Sequence, residues 1–204
     1  MSLMKKLLFV VLLPLILSGC FSTPAITVNN ICHLLDEEVS WYQAAKASEK
    51  KYGVPMYVQL AIMYQESNFK SDAQPPRSRL FGFVPWTRPT SAYGFAQAVD
   101  ATWEWYQQST GNADADRGDF ADSIDFMGWY INKSNKLSGI SKTNAYHQYL
   151  AYHEGHGGFN RKTHNRKPWL KRVAKKVASN ARRYKRQLTL CSAQLDKNST
   201  WSFF

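Results

Sequence analysis

The chain has 204 residues, with 26 Lys and Arg against 15 Asp and Glu for a net charge of +11, and it is 44% hydrophobic and 14% aromatic. That is apolar material for one cored domain. It excludes a disordered or collagen-like chain, a mean hydropathy of −0.43 excludes a protein that crosses a membrane many times, and three cysteines exclude a disulfide-dense miniprotein.

Residues 1–19 read as a targeting segment: Lys5 and Lys6 precede an apolar run from Leu7 to Leu17 that is too short to span a bilayer comfortably. The run ends in Leu17-Ser18-Gly19-Cys20, which looks like a bacterial lipobox, where cleavage before the cysteine leaves a thiol for diacylation. Cys20 is therefore expected to be a lipid anchor, with residues 20–30 as a short tether. Phe21, rather than Asp, after the cysteine leans toward the outer membrane. The expected location is a bacterial cell envelope, facing the periplasm. Disulfides persist there, so the remaining pair, Cys32 and Cys191, is expected to be bonded. Closing that loop would stabilise the domain by roughly 4–5 kcal/mol.

Helical punctuation dominates the rest, and no alternation of period two runs long enough for a large sheet. Trp41, Tyr42, Ala45 and Tyr52 share one side of a helix that stops at Gly53. Pro55 suits the first position of the next helix, whose residues Val58 to Met63 are heavily apolar and which runs up to Gln65-Glu66-Ser67. Residues Asp72 to Thr90, with four prolines and clustered aromatics, read as an irregular insertion bordering a cleft, with Trp86 or Phe83 offered to a ligand. Further helices are predicted over Ala101–Thr110, over Phe120–Leu137 with Asp119 as cap, and over Lys142–Glu154 with Gly155 as stop. The last begins near Pro168 with an apolar stripe through Leu170, Val177, Tyr184 and Leu188. Twelve Lys or Arg between Arg161 and Arg186 meet no acid. The division expected is a catalytic domain over 31–191 and a C-terminal tail over 192–204.

Metal and nucleic-acid readings are weak. Asp114, Asp116, Asp119 and Asp122 lack the glycine position and closing Glu of a calcium loop and read as a capped turn. His153-Glu154-Gly155-His156 lacks the spacing that puts two zinc ligands on one side of a helix. The basic C-terminal stretch could suit phosphates, but export argues against nucleic acid, and the solvated side of an amphipathic helix explains it. No metal, cofactor or nucleic acid is expected, and the chain is read as a monomer.

Glu66 carries the sharpest chemistry. It sits at the negative end of a helix dipole after an apolar helix, where ionisation is disfavoured. A glutamate titrates near 4.3, and apolar surroundings lift it to about 6, the range of a general acid. A helix-ending Glu is more often an ordinary solvated or capped residue, so position alone leaves both readings open.

Three blocks in order, Gln65-Glu66-Ser67-Asn68-Phe69, Tyr93-Gly94-Phe95-Ala96-Gln97 and Ala151-Tyr152-His153-Glu154-Gly155, resemble the signatures of the family 1 soluble lytic transglycosylase (SLT) domains, lipoprotein members with a long insertion especially. The resemblance runs from about Tyr52 to the end of the basic helix. It implies a mainly α, lysozyme-like single domain. It also implies a peptidoglycan lytic transglycosylase that cleaves the β-1,4 bond between MurNAc and GlcNAc and forms 1,6-anhydroMurNAc, with Glu66 as sole acid/base. Ser67, Tyr93, Gln97, Tyr152 and His153, with Trp86 from the insertion, are expected to bind the glycan, Tyr152 steadying Glu66. Phe95-Ala96 replaces a leucine-methionine pair, and His153-Glu154 stands where the family has Asn and a small residue. A hydrolytic muramidase and a glycan-binding lipoprotein without catalysis are the competing readings.

Overall fold

A helix that is apolar all round belongs at the centre of a domain, and the run Val58 to Met63 is apolar but for Gln59, whose amide is satisfied by the Ser48 hydroxyl and the Val54 carbonyl. The computed structural model describes residues 29–80, 84–85 and 87–201. Among them the chain forms seven α-helices: α1 (Ile31–Glu37), α2 (Val39–Tyr52), α3 (Met56–Ser67), α4 (Asp100–Thr110), α5 (Phe120–Ser138), α6 (Ala145–Asn160) and α7 (Pro168–Trp201), with a 3₁₀ turn at Thr163–Arg166 before the last. Val58, Leu60, Ala61, Ile62 and Met63 are buried completely, and α3 touches α2, α5, α6 and α7. The fold is mainly α and lysozyme-like, as the resemblance implies. The expected lipid-anchor position Cys20, the targeting segment, Phe83 and Trp86 lie outside the described residues.

Helices α2, α4 and α5 end at Gly53, Gly111 and Gly139, each in the left-handed conformation. The Asp119 side chain caps α5 by accepting from the Asp122 amide at 3.0 Å. Asp122 in turn accepts from the Asp116 amide at 2.9 Å, and Asp116 from the Gly118 amide at 2.8 Å. The acidic run is thus a set of backbone caps. Helix α7 buries Leu170, Ala174, Val177, Ala181 and Tyr184, and its Cys191 is bonded to Cys32 of α1 with Cα atoms 6.1 Å apart.

Several boundaries differ from expectation. Pro55 has an extended ψ of 132° and caps α3 rather than opening it. Helix α6 starts at Ala145, capped by the Asn144 side chain on the His147 amide at 3.1 Å, because Lys142 is drawn off to the Tyr52 carbonyl. It also continues beyond Gly155, where the backbone breaks and then resumes its turn. The short α1 escaped the periodicity reading; its seven residues are held by the Asn30 cap and the disulfide. The tail expected from 192 continues α7 through Trp201, because Leu195 is buried and Asp196 accepts from the Tyr42 hydroxyl at 2.7 Å. Within the insertion, β1 (Arg79–Leu80) and β2 (Val84–Pro85) pair antiparallel, too briefly to show in sequence.

Candidate active site

The apolar residues that drive α3 into the core carry Glu66 with them and leave it at the last turn, where an open cleft of about 390 Å³ begins. One wall comes from the loop before α4 and its first turn, through Gln97, Val99 and Thr102. The other comes from α5 and α6, through Phe126, Tyr130, Tyr152 and His153. Glu66 lies half-buried between them. Burial pushes its carboxyl up to about 7, and a hydrogen bond from the Tyr149 hydroxyl pulls in the opposite direction. Near neutrality such a group holds a proton it can give away, and a neighbouring donor lets it take the charge when it does.

Two strained loops frame the carboxyl. Asn68 and Phe69, directly after α3, both have positive φ, at 52° and 57°, and so does Gln97 at 51°. A left-handed phenylalanine is a true outlier, held only where packing over-determines it. Trp41 supplies that packing: it stacks on Phe120 at 4.2 Å, meets Phe95 edge-on at 5.3 Å, and lies 6.0 Å from Phe69. One aromatic cluster therefore joins the Glu66 block to the Gln97 block, which explains why Phe95 is tolerated where the family has an aliphatic residue. Gly94 has no alternative: its φ is 75°, and a Cβ there would sit 1.9 Å from the Arg117 carbonyl oxygen.

The expected residues divide. Gln97 faces the cleft while its amide donates to the Ala73 and Gly94 carbonyls at 2.7 and 3.0 Å, so it also ties the loop. Tyr152 lines the cleft, but its hydroxyl donates to the Ala96 carbonyl rather than to Glu66. The hydroxyl on Glu66 belongs to Tyr149, one turn earlier on α6, which the block comparison passed over. The signal available was the spacing of three, which puts Tyr149 and Tyr152 on one side of a helix. Ser67 is buried and donates back to the Met63 carbonyl at 3.3 Å; with Glu66 aimed at the cleft, the next residue is turned into the core. Tyr93 stays outside the lining, its ring beneath the Arg117 guanidinium at 5.7 Å.

His153 and Glu154 lie on the cleft wall. The Glu154 side chain is only 4% exposed. Desolvation acts to raise its carboxyl, but hydrogen bonds from Lys167 at 2.7 Å, from Thr163 and with His153 at 3.0 Å outweigh it and hold the group at about 2. The cleft thus contains one carboxyl that keeps its proton and one that has lost it. The two are not equivalent in freedom, since Glu154 is engaged by three partners that brace the start of α7.

Residues 8–191 match the family described as transglycosylase SLT domain. No curated protein matches the chain.

Proposed function

The chain belongs to the transglycosylase SLT-domain family, whose match spans most of its length, and from this we propose that it is a peptidoglycan lytic transglycosylase. SLT domains act on peptidoglycan in the cell envelope, and the family supports lytic transglycosylase-type activity. In the finer reading, Glu66 protonates the oxygen bridging MurNAc and GlcNAc as positive charge develops at C1. The carboxylate left behind then removes the proton from the C6 hydroxyl of the same MurNAc, whose oxygen closes on C1. A 1,6-anhydro ring forms, no water is consumed, and Glu66 ends as it began. The nucleophile comes from the substrate, so proximity replaces the second carboxylate that glycosidases use.

The observation that carries this reading is the Glu66 carboxyl lifted to about 7 at the cleft floor. Tyr149 donates to it, Tyr152 and Gln97 shape the walls beside it, and His153 offers a polar edge. Hydrolysis has one observation in its favour, the ionised Glu154 in the same cleft. Its engagement by Lys167 and Thr163 weighs against its activating a water. Anchoring through Cys20, a periplasm-facing outer-membrane location, a monomeric state and the 31–191 catalytic unit belong to the same proposal. Digestion of purified sacculi tests it: wild type releases soluble muropeptides, and Glu66→Gln, nearly isosteric but unable to give or recover a proton, loses at least the 10²–10⁴-fold, roughly, that positioned acid–base catalysis supplies. Undiminished release by that variant refutes the assignment.

A further inference from the structure

One end of the cleft wall runs on into an aromatic and cationic cluster outside its lining. Trp105 lies one helical turn beyond Thr102 on α4, so both are on the same side of that helix. It is 36% exposed, unusual for the largest apolar side chain. Its ring meets Trp129 edge-on at 4.6 Å and His156 at 5.9 Å, and His156 directly follows the cleft residue Gly155. His156 is itself stacked on Tyr130, another cleft residue, at 4.6 Å. The indole is therefore continuous with the cleft and held rigidly.

Lys133 supplies the second observation. Its ammonium lies 5.5 Å from the Trp105 ring and 5.6 Å from the Trp129 ring, and it has no acidic partner among the described residues. A cation fixed over two indoles without a counter-ion presents a charge-assisted donor to a carboxylate. A strand stripped by amide hydrolysis keeps its pyranose faces and a lactyl carboxylate beside each MurNAc ring but no carboxylates along a stem; a peptide-bearing strand carries those stem carboxylates as well.

We propose that Trp105 and Lys133 form a binding site at this end of the cleft for a peptide-bearing sugar, the indole taking an apolar pyranose face and the ammonium a stem carboxylate. The site makes the enzyme prefer peptide-bearing strands over stripped ones, and it rests on the peptidoglycan reading above.

The test measures Kd in full-length chains carrying Glu66→Gln, with two probes: soluble glycan strands that keep their stem peptides, and the same strands stripped by an amidase. The parent chain binds the stem-bearing strands more tightly. Adding Lys133→Gln weakens binding of stem-bearing strands by about fivefold, and of stripped strands less, as loss of one exposed ion pair predicts. Trp105→Ala weakens both by up to about tenfold, and Trp105→Leu, which keeps apolar bulk against Trp129, does the same if packing is not the cause. Lys136→Gln removes an equal charge from the exposed end of α5 and leaves the preference intact. Equal Kd for the two probes in the parent chain, or equal loss on both with Lys133→Gln, overturns the inference. The catalytic reading is judged by bond cleavage and this one by Kd, so the two fail separately.

Discussion

A carboxyl that must stay protonated near neutrality costs stability as well as enabling chemistry, and Glu66 couples the two. Its folded value of about 7 lies above the ordinary 4.5, so between those limits the native state holds a proton that the unfolded chain releases. Stability therefore falls as pH rises through this window and levels off above it. The neutral Glu66→Gln variant escapes that loss. Denaturant titrations at pH 8 should find it more stable than wild type by up to about 3 kcal/mol, with the advantage shrinking toward pH 4.5. Activity has the same origin and follows the acid form, so kcat should decline as pH climbs through about 7. Tyr149→Phe removes the donor that favours ionised Glu66, so the declining limb of the pH–kcat profile should move to higher pH. Tyr152→Phe loses a bond to the Ala96 carbonyl and should leave that limb in place; a shift with Tyr152→Phe alone would reverse the assignment of the two tyrosines. The signature block points to Tyr152 because a local signature names positions, whereas a hydroxyl's partner is decided by packing between α3 and α6. Ser67 shows the same dependence: its neighbour in sequence faces the cleft, while its own hydroxyl turns back to the Met63 carbonyl.

At the level of elements, helix existence was legible and helix ends were less so. Apolar spacing defines α2 to α5, with glycine stops at the ends of α2, α4 and α5, since those signals act within one turn. Helix α6 shows the limit. A glycine at 155 predicts an end there, and the Gly155 φ of 69° and ψ of 160° do break the helix, but contacts of Phe159 and buried Gly158 carry the turn on to Asn160. Its conformation is essentially restricted to glycine, and space around its Cβ position is open. Gly155→Ala should thus cost about 1–3 kcal/mol from backbone strain alone. It should also lower kcat/KM, because this break forms part of the cleft wall. Melting curves and sacculus digestion together check it; a variant with native stability and activity would show that the break is incidental.

Across the whole molecule, the two ends of the described chain are fastened together. Cys32 of α1 is bonded to Cys191 of α7 across 159 residues, Gln187 bonds the backbone at Asn29 and Ile31, and Tyr42 reaches Asp196. The pairing was legible because reading the chain as exported and Cys20 as a lipid anchor leaves two cysteines with one partner to offer each; the reach of α7 beyond it was not, since a basic amphipathic stripe reads as a surface until Leu195 is buried and Asp196 meets Tyr42 of α2. Replacing both cysteines by serine should lower the unfolding free energy by roughly 4–5 kcal/mol, with native helix content kept at room temperature, which denaturant unfolding followed by circular dichroism checks. The two reactions, transglycosylation and hydrolysis, differ in the hydroxyl that gives up the second proton. A substrate hydroxyl, rather than water, must close on C1 if one carboxyl performs both halves of the reaction. Mass spectrometry of the muropeptides released from sacculi in ¹⁸O-labelled water decides this directly. The account predicts MurNAc ends lighter by one water than hydrolysed ends and free of ¹⁸O; reducing MurNAc ends carrying ¹⁸O would contradict it.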